Sequence, residues 1–268
     1  KPASEHFPPL FMLAGTFGAI ALVFSILFRG PIRTPFWPGL LMASFAGSLQ
    51  AIPLFMGLAG LDASLAVLVL QTQVPMAVVA SYFINGETMA PRRLAGIALA
   101  FVGVGAVVGL PLHPPPLLPL LLVVLGAAVW AIGQALVKRI GRDEAPALFR
   151  LIALHSVPQL LIGSLLLEGG QIDAVASAGP AQWSSFLLVT FGGFMLGNML
   201  WYVLLRRSRV DQVSPFLLLM PIVGVVVSAV VLGEELTRAH LVGGGLILAG
   251  LAVVVGIGAR NKEREAMK

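Results

Sequence analysis

Nine apolar segments, each about as long as a bilayer is thick, follow one another with only short polar breaks between them. They run from Phe7 to Phe28, Trp37 to Leu58, Ala63 to Ile84, Arg92 to Leu112, Leu117 to Lys138, Ala147 to Leu167, Trp183 to Leu205, Val213 to Gly233 and Arg238 to Ala259. A helix rises about 1.5 Å per residue, so roughly 20 residues cross a hydrocarbon core about 30 Å thick. The pattern predicts an all-α polytopic membrane protein. A chain that is 58% hydrophobic and 11% charged cannot cover a water-soluble surface. The longest polar connection, Glu168 to Trp183, is too short to fold alone, so the chain is one unit set in the lipid bilayer.

Cations collect in alternate breaks, and this sets the orientation. With the tail cations Arg260, Lys262, Arg264 and Lys268 in the cytoplasm, the same side holds Arg29, Arg33, Arg92, Arg93, Lys138, Arg139, Arg142, Arg206, Arg207 and Arg209. Those fourteen face only Lys1 and Arg238 on the other side, while the acidic residues divide evenly. The bias predicts a multi-pass protein with a cytoplasmic C-terminus and, with nine spans, an outside Lys1. The net charge of +5 belongs to these loops, so nucleic acid is not an expected partner. Cysteine is absent, which excludes disulfides, thiolate nucleophiles and cysteine metal sites. No metal or cofactor is expected.

Sliding the chain by 147 positions aligns Ser81, Gly86, Glu87, Leu94, Gly96, Gly103, Val107, Val108 and Gly109 with Ser228, Gly233, Glu234, Leu241, Gly243, Gly250, Val254, Val255 and Gly256. A one-residue adjustment pairs Pro75 with Pro221, and Phe45 and Gly47 with Phe191 and Gly193. The charge count puts Gly86-Glu87 inside and Gly233-Glu234 outside, so the two copies are expected to be inverted, an architecture of many secondary transporters. The first repeat is expected over residues 1–112, the second over 113–259, and a cytoplasmic tail over 260–268. The second copy opens with the helix 117–138, for which the first copy has no counterpart. Lys1 with Pro8, Pro9, Leu10 and Phe11 parallels Lys138 with Ala145, Pro146, Leu148 and Phe149. The expectation is a ten-helix, five-plus-five inverted repeat bundle, nine helices of which fall in this numbering.

The paired Gly-Glu turns, together with Trp130-Ala131-Ile132-Gly133 ending in Lys138-Arg139, resemble the EamA-type branch of the drug/metabolite transporter superfamily across the whole chain. Within that branch the chain is similar to the YddG group, bacterial inner-membrane exporters of amino acids, aromatic ones among them. The resemblance implies two halves around a central cavity and a small-molecule substrate moved across the bacterial inner (plasma) membrane. Export of drugs or other metabolites such as nucleotide sugars is the alternative within carriers.

Polar side chains inside a bilayer are costly unless they face the bundle interior, so their helical stripes locate a pathway. Trp130, Gln134 and Lys138 share one face at i, i+4, i+8. Asn198, Trp201 and Tyr202 form a second stripe, Gln71, Pro75, Val78 and Tyr82 a third, and Ser214, Leu217, Pro221, Gly224 and Ser228 a fourth. Gln71, Trp130, Gln134, Asn198, Trp201 and Tyr202 are the candidate substrate-binding residues. Neutral dipoles and aromatic faces can hold an amino acid without a fixed counter-charge. The bland readings of the same residues are interhelical hydrogen bonding for the amides and interfacial anchoring for the tryptophans, the role expected of Trp37 and Trp183. Pro75 and Pro221 occupy matching places, each freeing the carbonyl four residues earlier, and are candidate hinges. Arg150 lies one turn from a helix end, where its head can snorkel, and His155 is either a proton relay or a packing histidine. No span carries an Asp or Glu near mid-depth, and no nucleophile-base set, His-Glu-x-x-His or Gly-x-Ser-x-Gly is present, so an enzyme is not expected.

Overall fold

Among the described residues, the chain is helical where the sequence reads apolar. The computed structural model describes residues 6–28, 30–86, 91–109, 115–197, 223, 227, 229–230 and 237–266. Its helices are α1 (Pro9–Leu27), α2 (Phe36–Leu58), α3 (Ala63–Asn85), α4 (Pro91–Gly109), α5 (Leu117–Ile140), α6 (Ala145–Leu167), α7 (Gln171–Ser177), α8 (Pro180–Leu187, continued by a wider turn over Leu188–Met195) and α9 (Arg238–Ala266). Among the described residues α1, α2, α3, α5 and α6 are long and apolar enough to cross a membrane. The protein is an all-α polytopic membrane protein. The span expected over Val213 to Gly233, and the end of the one expected over Trp183 to Leu205, lie mostly outside the described residues.

Proline sets where several of these helices begin. Pro9, Pro91, Pro146 and Pro180 stand in first turns, where the missing N–H is one the helix could not have used. Two elements depart from the expected layout. The connection after Glu168 contains the short helix α7, and α9 continues to Ala266 through a stretch expected as tail. That stretch, with Arg260, Lys262, Glu263 and Arg264, is rich in good helix formers, so continuing the helix through it costs little.

The packing of α1 against α6 is fastened at both ends. At the start of α1, the Glu168 carboxylate accepts from the Leu10 N–H at 2.7 Å and the Phe11 N–H at 3.1 Å, and is itself held by Ser164 Oγ at 2.6 Å. Just beyond the end of α1, the buried Arg150 guanidinium donates to the carbonyls of Phe28 and, at 2.6 Å, of Gly30. Leu10 meets Glu168 while Phe28 meets Arg150, so the two helices run antiparallel. The 18 residues from Arg150 to Glu168 span about 27 Å, which matches the 19 residues of α1. The signs suit the helix dipole, with the acid at the positive N-terminus and the base at the negative C-terminus. Between the clasps, Phe17, Ile20, Phe24, Phe149 and Ile152 form part of the core.

Helices α4 and α9 make a second antiparallel pair. A Cβ added to Gly103 would lie 2.6 Å from the Ile247 nitrogen and 2.7 Å from the Gly243 oxygen. One added to Gly250 would lie 2.5 Å from the Ala100 nitrogen and 2.6 Å from the Gly96 oxygen. Gly96, Ala100 and Gly103 are the positions that the 147-residue offset matches to Gly243, Ile247 and Gly250. The contact is therefore reciprocal, and only glycine at both crossing points lets the backbones approach so closely.

On the side where α1 ends, residues 30–35 rest on the turn before α6. The Asp143 carboxylate accepts from the Arg33 N–H at 2.5 Å and the Thr34 N–H at 3.0 Å, and the Arg142 N–H donates to Thr34 Oγ1 at 3.0 Å. Partial burial pushes the Asp143 carboxyl up, but the N–H donors and the charge of Arg33 outweigh it and hold the group below its usual range. A lowered carboxylate contributes its stability above the ordinary value and loses it only as pH falls through the lowered one. The clasp is therefore complete at neutral pH.

Removing one side of a buried charged hydrogen-bond set leaves the other side unsatisfied, at about 1.5–3 kcal/mol. Arg150→Met should accordingly lower unfolding free energy in detergent by about 3 kcal/mol, with Arg150→Lys recovering part of it. Exposed Arg92→Met should stay within about 0.5 kcal/mol. Equal effects of the two methionine variants would show that Arg150 contributes nothing beyond an exposed cation.

Candidate functional site

Helix α3 is broken at its middle. It comprises Ala63–Leu70 and Gln73–Asn85, joined at Gln71 and Thr72, where the Gln71 and Thr72 N–H groups reach back only three residues, to Leu68 and Val69. Pro75 explains the break, because it has no N–H to give the Gln71 carbonyl, and it is fully buried at the joint. Thr72 Oγ1 donates to the Val69 carbonyl at 2.7 Å. The buried Gln71 amide turns onto its own helix, donating from Nε2 to Val67 at 3.3 Å.

Helix α5 packs along both pieces of α3 and along α2. A Cβ on Gly133 would lie 2.6 Å from Ala46 Cα, so small residues bring α5 against α2 on one side. On the other, Asn85 Nδ2 donates to the Ala135 carbonyl at 3.3 Å and the Arg139 guanidinium donates to the Ile84 carbonyl. At about 100° per residue, Trp130 and Gln134 fall between these two contact faces, and both are half-buried. The structure thus brings Trp130 and Gln134 to one face of α5 and sets Gln71 on the neighbouring broken helix. Asn198, Trp201, Tyr202 and Pro221 lie outside the described residues. Tyr82, at the end of the Gln71 stripe, is exposed, as are Trp37 and Trp183.

Helix α2 is also interrupted. A wider π-helical turn occupies Ser44–Ser48, with the Leu49 N–H reaching back five residues to Ser44, and Pro53 follows where it cannot donate to Leu49. A second such turn follows α8 over Leu188–Met195. The aligned pairs Phe45/Gly47 and Phe191/Gly193 fall inside these two turns. Each turn is met by hydroxyl groups from the α1/α6 pair. Thr16 Oγ1 and Thr190 Oγ1 are 3.0 Å apart and buried, while Ser156 Oγ donates to the Ala43 carbonyl at 3.3 Å, at the edge of the first turn. Ser48 Oγ donates to Gln159 Oε1 at 2.7 Å, and Gln159 Nε2 donates to the His155 carbonyl at 3.1 Å. His155 itself uses Nδ1 on the Leu151 carbonyl and lies 5.1 Å from the Phe36 ring. Thr16, Ser48 and Ser156 were not legible as site neighbours, because single hydroxyls in apolar helices carry no spacing signal. The paired Phe-x-Gly was the available mark of the widened turns.

The EamA-like transporter family model matches residues 1–109 and 117–256, covering both groups of helices. The chain belongs to this family. A protein of Salmonella typhimurium named probable amino-acid metabolite efflux pump is 32% identical over 98% of this chain and 91% of its own length. A protein of the same name from Escherichia coli is 31% identical over 95% of this chain and 88% of its own. One solved crystal structure at 20% identity superposes with a TM-score of 0.68 over 96% of this chain and 92% of that one, which shows that the fold is shared. This EamA-family member is a multi-pass membrane transporter.

Pro75→Ala restores the donor for the Gln71 carbonyl and should straighten α3. If the break is a working hinge, the variant slows substrate turnover by about tenfold or more while changing substrate binding less than threefold. Unchanged turnover with weakened binding would instead make Pro75 part of the binding surface.

Proposed function

We propose that this protein exports amino acids, aromatic ones among them, and related small metabolites across the bacterial inner membrane by alternating access. The observation that carries the reading is the similarity, over nearly the whole chain, to two proteins named as probable amino-acid metabolite efflux pumps. Alternating access rests on the two halves, residues 1–112 and 113–259, being inverted copies. In support, α1 with α6 and α4 with α9 are pairs of helices that the repeat matches to each other, and each pair runs antiparallel. A pseudo-two-fold axis in the membrane plane produces that arrangement.

The substrate site we propose is built on neighbouring faces of α3 and α5, with Gln71, Trp130 and Gln134 completed by Asn198, Trp201 and Tyr202 from the second half. Two amide side chains and an aromatic face suit a zwitterion with a large apolar side chain, because dipoles can turn to either charge and the ring stacks on the remainder. Pro75 and Pro221 are the proposed hinges. The cation bias places the C-terminus in the cytoplasm in this reading.

Counterflow of labelled amino acids in proteoliposomes tests the reading directly. Saturable, trans-stimulated uptake of phenylalanine or leucine is expected. An aromatic contact is worth about 0.5–1.5 kcal/mol beyond its area, so Trp130→Ala should reduce transport of large apolar amino acids about three- to tenfold more than that of serine. An equal loss for all substrates at normal expression would assign Trp130 to packing. Transport of nucleotide sugars or cationic drugs without amino acids would replace the substrate class.

A further inference from the structure

A cavity of about 500 Å³ opens at the end of the bundle where α2 begins and α5 ends, lined by Trp37, Leu41, Arg139, Ile140 and Arg142 among others. Its upper edge is cationic and its lower edge apolar. Arg139 stands in the last turn of α5, and Arg142 on the turn that follows. Trp37 and Leu41 are one turn apart on the same face of α2, and both are open to the surroundings, at 74% and 47% exposure. Because α2 and α5 are long and apolar enough to span a membrane and these are their ends, the cavity falls near a membrane surface, with the exposed apolar side chains of Trp37 and Leu41 beside it.

Three observations separate this groove from an ordinary solvated charge cluster. Its described lining holds no acidic residue, whereas the neighbouring cavity of about 260 Å³ carries Asp143 and Glu144 beside Arg33 and is net acidic. The loop that carries Arg142 is fixed, because the Arg142 N–H is bound to Thr34 and Asp143 is bound to the Arg33 and Thr34 N–H groups. The start of α2 adds the positive end of a helix dipole to the two guanidinium groups. Arg139 has a packing role, since it donates to Ile84, but a guanidinium carries five donors and that bond uses one. The Arg142 side chain is exposed at this edge.

We propose that this groove binds the headgroup of an anionic phospholipid, with its phosphodiester between Arg139 and Arg142, Trp37 beside the glycerol level, and one acyl chain descending along Leu41. A cation near a membrane surface contributes about 1 kcal/mol toward anionic lipid, close to fivefold in affinity, and two contribute roughly thirtyfold. The site is separate from the proposed substrate pathway and stands whether or not the substrate class is right.

The test is native mass spectrometry of the full chain released from neutral detergent, with phosphatidylglycerol and phosphatidylcholine of identical acyl chains supplied in parallel. Phosphatidylglycerol should be retained about thirtyfold over phosphatidylcholine. Arg142→Gln should reduce its retention about fivefold, and Arg139→Gln with Arg142→Gln roughly thirtyfold, leaving phosphatidylcholine unchanged. Arg142 is exposed, so its single variant remains decisive if loss of the Arg139 bond to Ile84 prevents folding. Equal retention of the two lipids, or unchanged phosphatidylglycerol retention in Arg142→Gln, overturns the proposal. Displacement of the lipid by millimolar inorganic phosphate would also overturn it, assigning the arginines to a free anion.

Discussion

Lipid offers no hydrogen bonds, so each helix end that a membrane protein buries must find its donors and acceptors within the protein. In this chain α1 meets much of that need through α6. Glu168 takes N–H groups at its start, and Arg150 supplies donors to carbonyls just past its end. Because both residues sit on one continuous helix, their spacing sets the length and axial register of α1. The rest of the bundle hangs from this pair. The widened turn of α2 rests on α6 through Ser156 and Gln159, and the widened turn after α8 rests on α1 through Thr16. Helix α5 in turn lies against α2, and α3 against α5.

The spans were legible because hydrocarbon demands an unbroken apolar run of a set length, and few sequences satisfy that by accident. What the runs conceal is where a helix is interrupted. Pro75 marks the break at Gln71 and Thr72 from four residues away, since removal of one donor has one possible consequence. The π-helical turns have no such rule, and only the recurrence of Phe45/Gly47 at Phe191/Gly193 marked them. Sequence shows the depth of Arg150 on α6, which suits snorkelling, but not the end of α1 opposite it. For the same reason sequence places Glu168 only at the start of a polar connection. At the site, the stripe of Trp130 and Gln134 follows from helical periodicity alone, whereas the turn of Gln71 onto Val67 depends on a local backbone break that periodicity cannot express.

The two antiparallel pairs suggest how motion and rigidity divide in the proposed transport cycle. Helices α1 and α6 are tied at both ends by charged hydrogen bonds, and α4 and α9 meet backbone to backbone at Gly103 and Gly250. Neither contact can slide without losing its bonds or colliding. The interrupted helices α2 and α3 and the widened turn after α8 lie outside these pairs, and there a change of bend costs fewer regular hydrogen bonds. On the alternating-access reading, the paired helices are the fixed frame and the interrupted ones are the gates.

All of this depends on the two halves being inverted in the membrane, and the absence of native cysteine makes that directly measurable. A single cysteine replacing Pro91, at the start of α4, or Thr237, immediately before α9, can be probed with a membrane-impermeant maleimide in intact cells and in inside-out vesicles. The account predicts that the Thr237→Cys site is labelled only from outside and the Pro91→Cys site only from the cytoplasmic face. Labelling of both from the same face would contradict the inverted arrangement.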